Sequence, residues 1–537
     1  MSGRSDTASG AITRRGFLAA GAAAAVCGGL PYTARAAARA LGGALPSNEQ
    51  VLTVHPGREI GRVRPEFHGQ FAEHLGACVY GGLWVGPGSR IPNVDGYRAL
   101  AVRYLSELGI PVLRWPGGCY ADTYQWRDGV GPRAERPRTV NIAWGDVVDD
   151  NSFGTAEFIG LCRRIGAEPY LAGNVGTGSP EELRDWMEYC NFPDGGPAGS
   201  TLAQLRAKNG SPQPFGVRYW GVGNESWGCG GNLRPGEYAE KYREFATFLR
   251  PMGGVRPFLI ASGPNGNDGR WTRGLMDGLG WLRPSGVSIH YYEGGADAPD
   301  DFTVADMDKQ LAIFAQVEQA IQQQRAILDG YPRGRQVGLL LDEWGVWDRL
   351  SRAQQRRYGM LYEPATMRTG VAAGLGLNIF NRQADCLYMC NIAQIVNVLQ
   401  SLLVTDGPDG AQCVRTTTYY AFQLFKPHRG NTAVRITPPG AGPLGLSASA
   451  SKQGRELVIS LVNPQDRETM RVRVDAAGAA IASARGQALH DPDLNAGNTF
   501  ADPLRIVPRT LAVRVNRGAI TVDLPPLAVA TLRAELS

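Results

Sequence analysis

The chain has 537 residues, 43% apolar and 20% charged, which excludes disordered, collagen-like and coiled-coil classes and favours two domains. Its 70 glycines, nearly double the usual share of ~7%, cluster beside aromatic residues, a pattern that suits tight loops around a ligand. Of the formal net charge of +5, Arg4, Arg14, Arg15 and Arg35 against Asp6 place +3 in the first 36 residues; no basic run with interleaved aromatics follows, so a neutral ligand is expected and nucleic acid is not.

In chain order, Thr13-Arg14-Arg15-Gly16-Phe17-Leu18 is a twin-arginine signature. The apolar stretch 17–30 is too short to span a bilayer, and small-x-small sites follow at Ala34-Arg35-Ala36 and Ala38-Arg39-Ala40. The expectation is a signal peptide over 1–36, cleaved after 36 or 40, and export to the periplasm or medium. Twin-arginine export carries folded proteins. The eight cysteines left after cleavage (Cys78, Cys119, Cys162, Cys190, Cys229, Cys386, Cys390 and Cys413) are therefore expected to be mostly free thiols. The sequence has no CxxC, HxxxH or HExxH, so neither a metal nor a cofactor is expected.

Segment 47–62, with Val51-Leu52-Thr53-Val54, reads as a strand joining a C-terminal sandwich. Over 63–425 short apolar runs alternate with amphipathic stretches, often as helix, glycine, proline, strand. Eight strand candidates result: 67–71, 111–115, 169–172, 217–223, 258–262, 287–291, 337–341 and 384–389. Their spacing predicts a (β/α)8 TIM barrel with enlarged loops, whose site lies at the C-terminal ends of the strands. Over 426–537 helical periodicity gives way to alternating strands, which predicts a jelly-roll-like β-sandwich. Tyr238, Tyr242, Phe245 and Phe248 have helical spacing and read as the buried stripe of a barrel helix.

Two carboxylates stand at the ends of predicted strands: Glu225, after Asn224 on strand four, and Glu343, before Trp344 on strand seven. A barrel brings both over one mouth. A carboxylate pair there suits glycoside hydrolysis, one group protonating the leaving oxygen and the other attacking or activating water. Asn224 can donate to a substrate hydroxyl, and the indole of Trp344 is expected to desolvate the surroundings of Glu343. Gly173-Asn174-Val175-Gly176-Thr177-Gly178 does not meet the phosphate-binding pattern, and Gly228-Cys229-Gly230-Gly231 reads as a loop shaping the mouth. His74, beside Glu73, reads as a hydrogen-bonded structural group.

Tyr219-Trp220-Gly221-Val222-Gly223-Asn224-Glu225 and Leu341-Asp342-Glu343-Trp344-Gly345-Val346-Trp347 resemble glycoside hydrolase family 51, the α-L-arabinofuranosidases. The likeness extends through Gly69-Gln70-Phe71-Ala72-Glu73-His74, Leu113-Arg114-Trp115-Pro116-Gly117-Gly118, Ser288-Ile289-His290-Tyr291-Tyr292 and Asn391-Ile392-Ala393-Gln394. The resemblance implies that Glu225 is the general acid/base and Glu343 the nucleophile of a retaining exo-enzyme that releases terminal α-L-arabinofuranosyl groups from arabinan, arabinoxylan or their oligosaccharides. It implies that Glu73, Asn224, Tyr292 and Gln394 hold the sugar or the nucleophile. Arg114 and His290 would orient the carboxylates, and Trp347 would stack on the leaving-group side. Cys119 stands where many relatives carry Asn and is expected to face the sugar as a thiol. A homo-oligomer, even a hexamer, is compatible with the resemblance. The alternatives are a β-xylosidase or endo-glucanase on the same scaffold, or a non-catalytic carbohydrate-binding protein.

Overall fold

A computed structural model describes residues 49–294, 301–349, 352–407, 410–438 and 444–537. The signal-peptide expectation falls on residues outside these. Eight parallel strands close into a barrel in chain order: Gly69–Phe71, Val112–Trp115, Glu168–Gly173, Tyr219–Val222, Phe258–Ala261, Gly286–Gly294, Gly338–Trp347 and Leu387–Ala393. They are numbered one to eight below.

The glycine punctuation acts as helix caps. Helices Ala99–Leu108 and Thr155–Ile165 end on Gly109 (φ 70°) and Gly166 (φ 75°), whose left-handed backbone lets the chain turn straight into strands two and three. Val112, Tyr170, Tyr219, Ile260, Leu340 and Met389 plug the barrel interior. Above this plug the interior turns polar: Tyr170 and Asn391 donate to the Asp342 carboxylate at 2.7 and 2.8 Å, and the Arg114 guanidinium lies 3.6 Å from it.

The strand Glu49–Arg62 enters a ten-stranded sheet, pairing antiparallel with Thr432–Thr437 and parallel with Met470–Ala476. Leu52, Val54, Val434, Ile459, Val472, Ile520 and Leu532 lie on one face of this sheet and share one apolar core, because the sheet curls over on itself. Helix Met367–Arg382 is buried on all sides between sheet and barrel. Its small residues permit this: a Cβ at Gly374 would lie 2.9 Å from Val462, and one at Gly376 would lie 3.0 Å from Trp344.

Two expectations change. Phe248 is 52% exposed: Leu249, 4% exposed, takes the next inward position after Tyr238, Tyr242 and Phe245, and Phe248 is turned off that face. Trp344 is fully buried but faces away from the site, because strand seven continues through Trp347 and successive side chains alternate faces. Its ring contacts Phe380 and Phe422 of two helices (centroids 4.9 and 6.1 Å) rather than Glu343.

Candidate active site

The site lies at the C-terminal ends of strands one, two, four, six, seven and eight. Strands six and seven pair with His290 opposite Glu343 and Tyr292 opposite Gly345, after an irregularity between Ile289 and His290. Glu343 is thereby enclosed by two donors and a neighbouring imidazole. Arg114 Nη1 donates to its Oε1 at 2.6 Å, Tyr292 Oη donates to its Oε2 at 2.7 Å, and His290 Nδ1 lies 3.6 Å from Oε2. Burial pushes this carboxyl upward, but His290, Arg114 and Tyr292 together outweigh burial and hold it below the ordinary glutamate range. The group is set up to remain ionised.

Glu225 follows Gly223 (φ 84°) and itself has a positive φ of 39°, an uncommon conformation for a residue with a side chain. His290 Nδ1 lies 2.9 Å from its Oε1. Burial lowers the pKa of His290, but the charges of Glu343 and Glu225 raise it past the ordinary value, so the imidazole bridges two acidic partners. The Glu225 side chain is 18% exposed against 7% for Glu343, so only the first has ready access to water for proton exchange. Facing oxygens of Glu225 and Glu343 and a ring nitrogen of His290 lie within 4.8 Å of one another.

Asn224 accepts from Arg114 Nη2 through Oδ1, and its buried Nδ2 has no partner among the described residues, leaving a donor for a ligand. Glu73 is 2% exposed; its Oε1 accepts from Tyr120 N (3.0 Å) and Trp144 Nε1 (2.8 Å), and its Oε2 from Gln394 Nε2 (3.1 Å). Burial first, then the charge of Glu343, pushes its carboxyl up to about 7. Gly117 and Gly118 run between these acids: a Cβ would come within 2.9 Å of Glu73 Oε1 and 3.0 Å of Glu343 Oε1, respectively. Trp347 contacts Tyr292 edge-on, with centroids 5.5 Å apart.

His74 holds the floor of the loop beside Glu73. Trp115 Nε1 donates to its Nε2 at 3.0 Å, which leaves Nδ1 to donate to Asp149 at 2.6 Å. Trp144, Asp122 and Asp342 are site residues that sequence reasoning missed. Trp144 sits in the turn between the strands Thr139–Asn141 and Val147–Asp149 and folds back to Glu73, a long-range return that local pattern does not encode. Asp342, adjacent to Glu343, carried a local signal as a charged residue ending an apolar strand.

The thiol expectation for Cys119 is corrected. Cys119 is joined to Cys229 in a disulfide across a sequence separation of 110, while Cys78, Cys162, Cys190, Cys386, Cys390 and Cys413 are free. The loops after strands two and four meet only in the folded barrel, so spacing along the chain cannot reveal the pairing. Two groups of metal-ligand type converge here, Glu225 with His290 and Glu343, and Glu225 with Cys119 and Cys229; in the second the sulfurs are bonded to each other and supply no thiolate.

A closed barrel with an ionised carboxylate and a water-accessible carboxyl facing each other over its mouth is the arrangement of a glycoside hydrolase. Family models for the α-L-arabinofuranosidase 1 domain and the α-L-arabinofuranosidase C-terminal domain match residues 104–306 and 342–528. An intracellular exo-α-L-arabinofuranosidase of Bacteroides ovatus is 41% identical over 502 residues, 90% of this chain and 95% of that protein. The crystal structure of a family 51 arabinofuranosidase from Xanthomonas axonopodis pv. citri superposes with a TM-score of 0.86 at 36% identity, covering 90% of this chain and 99% of that one. An α-L-arabinofuranosidase from Thermotoga maritima in complex with arabinose gives 0.80 at 29% identity, over 90% and 99%. The chain belongs to glycoside hydrolase family 51, the α-L-arabinofuranosidases. The expectation of export is overturned by the same comparison, since the B. ovatus relative is named an intracellular enzyme. Among the described residues no helix is long and apolar enough to cross a membrane.

Proposed function

We propose that the protein is a retaining, exo-acting α-L-arabinofuranosidase that removes terminal non-reducing arabinofuranosyl groups from arabinan, arabinoxylan or derived oligosaccharides by double displacement. The observation that carries this reading is that one oxygen of Glu225 lies within 4.8 Å of one oxygen of Glu343, on the short side of the ranges known for such pairs. Retaining enzymes keep their carboxyls ~5–5.5 Å apart, whereas inverting ones leave ~6.5–9.5 Å for a water between them. Glu343 attacks the anomeric carbon while Glu225 protonates the departing glycosidic oxygen. Glu225, then ionised, takes a proton from the water that releases the sugar from Glu343.

Arg114 fixes the attacking carboxylate and polarises Asn224, whose free Nδ2 donates to a furanose hydroxyl. Tyr292 holds the second nucleophile oxygen until the glycosyl ester forms. Glu73 and Gln394 grip the far hydroxyls, Trp347 borders the leaving group, and the Cys119 half of the disulfide stands at the rim of the sugar pocket. Homo-oligomeric assembly belongs to the same reading and is checked by light scattering. A panel of nitrophenyl glycosides tests the activity: release from the α-L-arabinofuranoside should exceed release from the β-D-xyloside and β-D-glucoside by about a hundredfold, the span that mismatched sugar contacts can supply. Preference for either of the others would overturn it.

A further inference from the structure

The Cys119–Cys229 bond lies beside the acid/base, and no step of the mechanism above uses it. Four residues, Cys119–Asp122, form one 3-10 turn after strand two, and this turn grips the Glu225 loop at two points. On the inner side Asp122 Oδ2 accepts the backbone N–H of Asn224 at 2.9 Å, while Oδ1 accepts those of Val175 and Gly176 at 2.8 and 2.9 Å. On the outer side Cys119 is bonded to Cys229, four residues past Glu225. The loop is also tied to itself, Gly228 N donating to Glu225 O at 2.7 Å within the anchors and Leu233 N to Ser226 O at 2.7 Å from beyond them.

The backbone of Glu225 sits at φ 39°, a conformation that persists only where its surroundings over-determine it. Its Oε2 lies 3.5 Å from Cys229 Sγ. A disulfide sulfur has no hydrogen to donate, so this contact walls one side of the carboxyl without competing for its proton. Cys229 is exposed and Cys119 half-buried, so a soluble thiol can reach the bond.

We propose that the Cys119–Cys229 disulfide is a positioning device for Glu225, and that its reduction by a dithiol withdraws general-acid assistance while sparing nucleophilic attack. This rests on the assignment of Glu225 and Glu343 above. In the redox step a thiolate of the dithiol attacks Cys229 Sγ, the sulfur–sulfur bond breaks, and Cys119 departs as a thiolate that takes a proton. The second thiol of the reductant then displaces Cys229; the protein gains two electrons and two protons, and the reductant becomes its cyclic disulfide.

The test compares the full chain before and after dithiothreitol, with removal of reductant and re-oxidation as a third arm. Reduction should add two titratable thiols under denaturing conditions. It should lower kcat/KM on arabinobiose by about tenfold to a hundredfold, the penalty for displacing a catalytic group by ~1 Å. With 2,4-dinitrophenyl arabinofuranoside, whose leaving group needs no proton, the change should stay within about twofold. Re-oxidation should restore the loss. The variant Cys229→Ala, which removes the bond and leaves Cys119 in place, should show the same split without reductant and no response to it. A merely structural bond would lower both substrates together, and that result would overturn the proposal, as would a Cys229→Ala variant with wild-type kinetics or the absence of any thiol gain on reduction. An oxidised wild type that cleaves neither arabinoside would instead overturn the assigned activity.

Discussion

Glu343 is the proposed nucleophile, and its environment makes two variants informative. Glu343→Ala should lose turnover by about 10⁴-fold or more. Azide should partly restore it on an activated substrate, and NMR should show a glycosyl azide of inverted configuration, because the anion enters from the vacated face. Wild-type-like turnover in the purified variant would remove Glu343 from the role. Arg114→Met tests the electrostatics. Since His290, Arg114 and Tyr292 hold the Glu343 carboxyl below its ordinary range, loss of the guanidinium raises it. The attacking form is the ionised one, so the acid limb of kcat/KM should move to higher pH, with kcat down about 10²-fold or more. An unmoved acid limb would mean that Arg114 does not tune the nucleophile. Both glutamates were legible in the sequence because each ends an apolar strand run and an acid there has no business in a core. The facing direction of Trp344 was legible only once strand seven was known to continue past Glu343.

At the scale of single elements, the loop after strand two carries Gly117 and Gly118 past both Glu73 and Glu343. An added methyl group at either glycine would press on the neighbouring carboxyl. Gly118→Ala should therefore lower kcat/KM by about tenfold or more while shifting the unfolding midpoint by no more than a few degrees, read by aryl-arabinofuranoside kinetics and calorimetry on the same sample. A large loss of stability with unchanged kinetics would place Gly118 in the fold rather than the site. The strands themselves were readable from their helix–glycine–proline–strand punctuation, since capping and strand burial are local effects. The contacts between loops were not. Trp144 with Glu73, Asp122 with Asn224, and Cys119 with Cys229 join segments 71, 102 and 110 positions apart, and barrel closure alone brings them together.

At the scale of the molecule, the strand Glu49–Arg62 ties the start of the described chain into the sheet that follows the barrel. Val54 is wholly buried in the sheet core, whereas Val51, on the opposite face, is 49% exposed. Val54→Asp should thus cost about 3 kcal/mol or more by burying an unpaired charge, and Val51→Asp about 0.5 kcal/mol or less. Denaturant unfolding of the two variants checks the contrast; equal effects would mean that the strand's inward face contributes little. Helix Met367–Arg382, buried between barrel and sheet, shows why fold class could be argued from pattern while packing could not: the role of its small residues is visible only with both partners in place. Oxygens of Glu225 and Glu343 within 4.8 Å of one another suit direct attack by a carboxylate and not attack by a water held beyond the sugar, and methanolysis tests that geometry most directly. With an aryl α-L-arabinofuranoside in dilute methanol, the methyl glycoside trapped and read by NMR should be the α-anomer, formed by two inversions at one carbon; the β-anomer would show a single displacement and contradict the nucleophilic role of Glu343.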